Sequence, residues 1–385
     1  MKQRSSGLNS NNWKQFFQSG IEQYLHQHVQ EFYPEIGSNT KSVHFQLVKY
    51  HTHMFSVIFE YDIVFQNGKL PRTFVKLHRA SKEIPFKESI LMEKAKKLAR
   101  TEYQFHKASY DFFLKLQRPY RAVRPLAYQP EINALYVEEA PGVELSAWMS
   151  SHDFKNDPQL KEQAIYYFFQ SGEMAREFHR HFRIDQNASF DAERQMELFR
   201  KQIVKLRQKK VEPLYLQDLE KRLQRNLEKF AGERMELAKI HGDYKLQHIF
   251  VKDDRLTLID FGNDLGAASP YVDTAAFYVE IITRPFATFR SRFKTVHHEL
   301  LHAFLEGYFG SLENESLPWL MEMHIIYYLL KKWNRRIKRF SHNSVIKQFI
   351  AVTNKLRFTR FIHYHYTNPW FMRQIETHLR KLERL

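Results

Sequence analysis

The chain is predicted to fold as an α+β protein of two unequal lobes, a small β-rich one followed by a larger, mainly helical one. Two observations carry that expectation. Strand-like period-2 runs crowd into the first 140 residues around a single long helical pattern. The second half is helical in period except for one isolated pair of short β-runs near residues 249–260. At 385 residues the chain is long enough to build two lobes with a sizeable core.

In chain order, NNWKQFFQSGIEQYLHQHVQEFY (11–33) sets Trp13, Phe16, Phe17, Ile21, Leu25 and Val29 at helical intervals, with Asn11 or Asn12 as cap, so residues 1–40 are an N-terminal helical extension. VHFQLVKY, MFSVIFEYDIVF and RTFVKLHR then read as strands, and QNGKLP between the last two carries an Asn-Gly turn signal. A helix is predicted over about 86–117, followed by the β-runs YRAVRPLAY and ALYVEEA. These segments make a β-rich N-lobe of residues 41–140, joined near Glu138–Gly142 to a helical C-lobe of residues 141–385. Within the C-lobe, about 187–239 reads as a charged helical insertion with a turn at Val211–Pro213, and about 318–385 as basic, aromatic C-terminal helices.

Composition narrows the function. Hydrophobic residues at 43% and aromatics at 15% belong to a folded chain. The absence of cysteine excludes disulfides, thiolate metal sites and cysteine nucleophiles, and fits a reducing compartment. The N-terminus has no signal-peptide core, and the best apolar run, LPWLMEMHIIYYLL, is too short to span a bilayer and carries Glu322 and His324. A cytoplasmic protein is expected. Net charge is +16, and from Lys331 onward fourteen Lys and Arg face only Glu376 and Glu383, so twelve of the sixteen excess charges sit in the last seventh of the chain. A field of that sign attracts nucleic acid, an anionic membrane face or an anionic substrate.

The stretch HGDYKLQHIFVKDDRLTLIDFGN (241–263) carries the chemistry. IFVKDDRLTLID reads as two strands around the polar turn Lys252–Arg255, with Asp243 ahead of the first and Asp260 at the end of the second. A hairpin draws its two ends together, so both carboxylates can face one cleft. Phosphoryl transfer uses such a pair, one carboxylate to orient and deprotonate the attacking hydroxyl and one to hold the metal on the phosphates.

This stretch resembles the catalytic and metal loops of the protein-kinase-like superfamily, in particular its aminoglycoside phosphotransferase and choline kinase branch. FVKLHR is similar to the third strand of that fold with its phosphate-binding lysine, ARTEYQFHK to the following helix with the lysine's glutamate partner, ALYVEEAPGVEL to the adenine-binding hinge, and YVDTAAF to the Asp-Leu-Ala element. The resemblance covers about residues 43–285 and implies a small antiparallel β-rich N-lobe and a larger helical C-lobe. It implies Asp243 as catalytic base, Lys245 as a neutralising cation for the moving phosphoryl group, and Asp260 as main metal ligand. It further implies Lys76 on the nucleotide phosphates, oriented by Glu102 with Glu93 as the second choice, and Glu138 and Ala140 at the adenine hinge. His241 and Asp273 would support the catalytic loop. ATP and Mg²⁺, with Mn²⁺ as an alternative, are the implied cofactors.

Two departures stand out. His248 occupies the position where the family has a metal-binding Asn. The site then runs on one well-held metal, or Gln247 supplies the oxygen, or the metal is softer, or the protein is an inactive scaffold. The lipopolysaccharide core sugar kinases are similar at this position, which points the acceptor towards envelope polysaccharide. The second departure is KYHTHMFS, where a phosphate-cradling turn would want glycine; His51, Thr52 and His53 either cover the phosphates or form an ordinary turn. A basic chain disfavours polycationic acceptors, so an anionic sugar or glycolipid is expected, with peripheral contact at an anionic membrane surface through the interleaved basic and aromatic tail. The opposing reading puts Trp333, Phe340, Phe349, Phe358 and Tyr364 in a helical core. A catalytically inactive kinase-like scaffold is the alternative function. Nucleic-acid binding is a weaker one, because no recognised motif accompanies the charge.

Overall fold

The structure, a computed structural model, describes residues 12–36, 43–65, 68–154, 156–262, 266–287, 296–311, 316–342 and 366–385. It divides into two compact units: Met1–Trp148 with Gln247–Asp264, and Met149–Leu246 with Leu265–Leu385. The first is the antiparallel β-rich unit and the second the helical one, so the fold class is α+β as expected.

In the first unit, helix α1 (Asn12–Phe32) buries Phe17, Ile21, Leu25 and Val29, spaced four residues apart, in the core of the main sheet. Each such side chain contributes roughly 1.5–3 kcal/mol by leaving water. The sheet runs β1 (His44–Thr52), β2 (Ser56–Phe65), β4 (Thr73–His78), β7 (Ala134–Glu138), β6 (Pro125–Gln129), with the short β3 (Gly68–Lys69) extending from β2. Along β4 the pleat sends Thr73, Val75 and Leu77, all fully buried, to one face and leaves Lys76 and His78 together on the other.

The predicted helix over 86–117 is two helices, α2 (Phe86–Leu91) and α3 (Glu93–Leu116), with Met92 extended between them at ψ 146°. The buried Asn133 side chain donates to the Ile90 carbonyl, satisfying a helix-end acceptor that continuous helix would have used internally. YRAVRPLAY likewise splits. Tyr120–Ala122 (β5) joins a second sheet, in the order β5, β12 (Arg255–Leu258), β11 (Ile249–Lys252), β8 (Val143–Glu144), whereas Pro125–Gln129 pairs with β7. The β11–β12 hairpin closes through Asp253 and Asp254, both left-handed at φ 49° and 58°, the twisted two-residue turn that matches flanking strands.

In the second unit, α5 (Pro158–His181) is capped by Asp157, whose carboxylate accepts from Leu160 N at 3.1 Å. It crosses α9 (His297–Phe309) through Gly172 and Gly307, where a Cβ would come within 2.1 Å and 2.0 Å of carbonyls on the facing helix. The expectation of helix throughout 187–239 needs correction. Helix is confined to α6 (Ala192–Gln208) and α7 (Pro213–Lys229), and the flanks form strands β9 (Arg183–Ser189) and β10 (Arg234–Lys239), paired antiparallel, with β13 (Ala267–Ala268) beyond β10. β9 is almost wholly exposed and polar, so it carries no period-2 signal. Closure of the α6–α7 hairpin sets the pairing, through Phe190 N to Glu233 O at 2.9 Å and Gly232 N to Phe190 O at 3.1 Å.

Helix α8 (Tyr271–Ala287) and the C-terminal helices α10 (Trp319–His342) and α11 (Asn368–Arg384) complete the unit. α11 buries Phe371, Ile375, His378, Leu379 and Leu382, and its Glu376 and Glu383 clasp Arg222 of α7 at 2.9 Å and 2.8 Å. Trp333 is fully buried and stacks on Phe371, so this aromatic belongs to the core; the side chains of Phe340, Phe349, Phe358 and Tyr364 lie outside the described residues. Among the described residues no helix is long and apolar enough to cross a membrane.

Candidate active site

In the β-rich unit, Lys76 Nζ lies 2.9 Å from Glu102 Oε1 and 3.0 Å from Asp260 Oδ1. Strand β4, helix α3 and the end of the β12 segment thus contribute one group each. Glu102 is also met by His78, whose Nε2 is 2.6 Å from Oε2. Burial opposes charge on both members of the central pair, yet their mutual attraction prevails. The Glu102 and Asp260 carboxylates raise the Lys76 pKa, and Lys76 with His78 holds Glu102 well below the usual carboxylate range. Glu93, the second choice as lysine partner, does not serve: its side chain is 88% exposed and pairs with Lys96.

Asp260 adopts φ 63°, a left-handed conformation that Asp tolerates better than most residues but that still costs energy. The next two residues fix the turn. Phe261 is buried and stacks on His106 at 4.6 Å, and His106 Nε2 donates to Val123 O at 2.7 Å. Gly262 then passes so close to the ion pair that a Cβ there would meet Glu102 Oε2 at 2.5 Å and Lys76 Nζ at 2.6 Å. His248, in the 3-10 turn Leu246–His248, directs Nε2 to 3.6 Å from Asp260 Oδ2; Gln247 is half-buried in the same turn. Carboxylate oxygen and imidazole nitrogen form a mixed donor set that fits a divalent cation tolerant of nitrogen better than one demanding oxygen alone.

Glu138 ends β7, beside Thr73 of β4, and Ala140 lies half-buried two residues on. Burial pushes the Glu138 carboxyl up, partly offset by Arg124 at 3.5 Å and by Arg121. The histidine-bearing turn is an ordinary hairpin: His53 N donates to Ser56 O at 2.8 Å, and His51 Nε2 is engaged by Glu60 at 2.8 Å.

In the helical unit, the loop 241–245 hangs from Asp273 near the start of α8. That buried carboxylate accepts from His241 N at 2.7 Å and Gly242 N at 2.8 Å, and is itself held by His179 Nε2 at 3.2 Å. Gly242 takes φ 79°, the left-handed turn that aims the next residue outward. His241 is fully buried, and its Nδ1 accepts from Asp243 N at 3.4 Å. Tyr244 anchors the loop by donating to Ser171 O at 2.6 Å. Lys245 pairs with the Asp243 carboxylate. Lys331 of α10 also feels Asp243: burial lowers its pKa, Arg335 and Lys205 lower it further, and Asp243 opposes them.

Sequence reasoning missed His78 and Lys331. The first had a signal, because His78 stands two residues from Lys76 on a period-2 strand and must share its face. The second had none, lying almost ninety residues in sequence from the loop whose charge it feels.

A family model for the phosphotransferase enzyme family (APH) matches residues 88–313. The chain belongs to that family and is accordingly a small-molecule phosphotransferase with a hydroxyl acceptor. No curated protein matches the sequence at a significant level. Among solved structures, the chain is similar to a Ralstonia eutropha protein described as a putative aminoglycoside phosphotransferase, at 13% identity and TM-score 0.52, covering 95% of this chain and 98% of that one. It is also similar to a glucosamine kinase in complex with glucosamine, ADP and inorganic phosphate, at 11% identity and TM-score 0.50, covering 83% and 84%. At such identities the likeness is one of fold.

Proposed function

We propose that the chain transfers the γ-phosphoryl group of ATP to a hydroxyl of an anionic sugar or glycolipid of the envelope polysaccharide type. The observation that carries this reading is the Lys76–Glu102–Asp260 chain of contacts, a half-buried cation held between a buried carboxylate and a partly exposed one. Lys76 binds the α- and β-phosphates, Glu102 and His78 fix its ammonium, and Glu138 to Ala140 meet the adenine. Asp243 accepts the proton of the acceptor hydroxyl as its oxygen attacks the γ-phosphorus. The bond from that phosphorus to the β–γ bridging oxygen breaks, and ADP leaves. Lys245 offsets the charge on the moving group. Asp260 with His248, and Gln247 in reserve, holds a divalent metal, Mg²⁺ or Mn²⁺, which when bound neutralises phosphate charge. The reading requires the carboxylates of Asp243 and Asp260 to converge on one nucleotide.

The acceptor class rests on charge. With sixteen excess positive charges, the chain repels polycations and attracts acceptors that already carry phosphate or carboxylate. A glycolipid acceptor would bring the protein to the cytoplasmic face of an anionic membrane. The test is transfer of label from γ-labelled ATP to a panel of neutral and anionic sugars by the wild type and Asp243→Asn. Label should pass to an anionic sugar with the wild type and fall at least ~10³-fold in the variant. Equal transfer by the two proteins would remove Asp243 from its role.

A further inference from the structure

In the helical unit the charge of Asp243 reaches a cluster of cations that the phosphoryl-transfer chemistry does not use. Tyr327, Tyr328, Lys331 and Arg335 lie at three-, four- and seven-residue spacings along α10, on neighbouring positions of one helix face. The half-buried ammonium of Lys331 rests 5.0 Å from the Tyr328 ring centroid and 6.0 Å from that of Tyr327. Helix α6 packs alongside: Phe199 meets Tyr327 at 6.0 Å, and Asn334 donates to Gln202 O at 2.9 Å. That contact brings Lys205, one turn beyond Gln202, to the same cluster, where it acts on the Lys331 charge.

Among the described residues no carboxylate lies within 4.0 Å of the half-buried Lys331 or of the exposed Arg335 and Lys205, in a unit whose buried ions are mostly paired. Arg222, by contrast, is clasped by two glutamates, and Glu322 by His378. Lys331 is half-buried against aromatic faces while Arg335 and Lys205 stand in solvent, so the three make a positive field, without a counter-ion among these residues, that draws an anion towards Lys331. The partial burial of Lys331 makes its interaction with an incoming oxyanion stronger than a surface lysine would offer.

We infer that Lys331, Arg335 and Lys205 form the subsite that holds the oxyanion, phosphate or carboxylate, of the acceptor while its hydroxyl faces Asp243. The inference rests on the phosphotransferase reading and names the part of the site that selects the substrate. The faces of Tyr327 and Tyr328 give the acceptor's ring carbons an apolar wall. Lys331 is a specificity residue, because it touches the anion and not the reacting atoms.

The experiment compares the wild type with Lys331→Gln, Lys331→Arg and Arg335→Gln in two readouts. In turnover with ATP, Lys331→Gln should raise KM for glucose 6-phosphate or glucuronate at least tenfold. It should leave kcat and the KM for ATP within about twofold, with no change for glucose, and Lys331→Arg should recover most of the loss. In calorimetry without nucleotide, inorganic phosphate, glucose 6-phosphate and glucuronate are titrated into each protein, and Lys331→Gln should weaken binding of at least one of them tenfold. Phosphate and glucuronate distinguish the two oxyanion sources. Anion affinity equal in wild type and Lys331→Gln for every probe would overturn the subsite, whatever the turnover. Lysine-dependent anion binding without transfer of label to any sugar would keep the subsite and defeat the phosphotransferase reading instead.

Discussion

Two clusters of charge, one in each unit, are built in opposite ways. Around Glu102 every charge is answered: Lys76 at 2.9 Å, His78 at 2.6 Å, and Asp260 closing the chain on the far side of the lysine. Around Lys331 the cations Arg335 and Lys205 are gathered with no carboxylate in contact among the described residues, and only Asp243 favours the protonated ammonium. A satisfied network keeps its groups in place whether or not substrate is present, as a residue that positions phosphates must. An unsatisfied one leaves a positive field that draws an anion, as a residue that selects substrate can. In the proposed function the first cluster positions phosphates and the second chooses the acceptor.

The largest effect should come from breaking the satisfied network. Lys76→Ala leaves Glu102, only 5% exposed, with His78 as its sole close cation among the described residues, and should cost about 3–5 kcal/mol in urea unfolding. It should also lower kcat/KM at least ~10²-fold. A loss under ~1 kcal/mol would mean the pair is solvated and the contrast between the clusters is false.

His324 gives the helical unit a pH-dependent cost. His324 on α10 is buried without a compensating charge, and burial pushes its pKa down to about 4. Between that value and the ordinary 6.5, the unfolded chain binds a proton that the folded chain refuses, so stability rises with pH through this window and is lost as pH falls through it. The full difference is roughly 3–4 kcal/mol. His324→Phe should flatten the stability profile between those limits in chemical denaturation, and an unchanged slope would place the acid sensitivity elsewhere.

Gly262→Ala sharpens the comparison from the other side, because the added methyl must displace Glu102 or Lys76. About 1–3 kcal/mol of destabilisation is expected, with a raised KM for ATP. The smallest effect concerns the metal. His248→Asn replaces imidazole with an amide oxygen and should shift the ratio of Mg²⁺- to Mn²⁺-supported rates about tenfold towards Mg²⁺, read by parallel assays.

Much of the β-rich unit was legible because its signals are local. The paired Asp253–Asp254 turn, the alternation of TFVKLH and the sequence IDFG each specify geometry over a few residues. Glu102 was legible only by resemblance, since nothing in a helix reading separates it from Glu93 until the fold buries one and leaves the other in solvent. Strands β9 and β10 were not legible: RIDQNAS is polar on both faces, and its pairing is a consequence of the helical hairpin it brackets. The helix break at Met92 was hidden for a similar reason, as its stabilising partner, Asn133, lies about forty residues away. Lys331 was lost in the abundance of basic residues around it. Its distinction is the company it keeps in space, where Tyr328 meets it and the charge of Asp243 reaches it.

The central claim is that Lys76 and Asp260 hold a metal–nucleotide complex on which Asp243 then acts. A thermal-shift measurement with ATP, in the presence and absence of Mg²⁺ or Mn²⁺, tests it most directly when run on wild type, Asp243→Asn and Asp260→Asn together. A metal-dependent rise in Tm is expected for wild type and for Asp243→Asn, and its loss in Asp260→Asn. The same metal-dependent rise in all three proteins would contradict the claim.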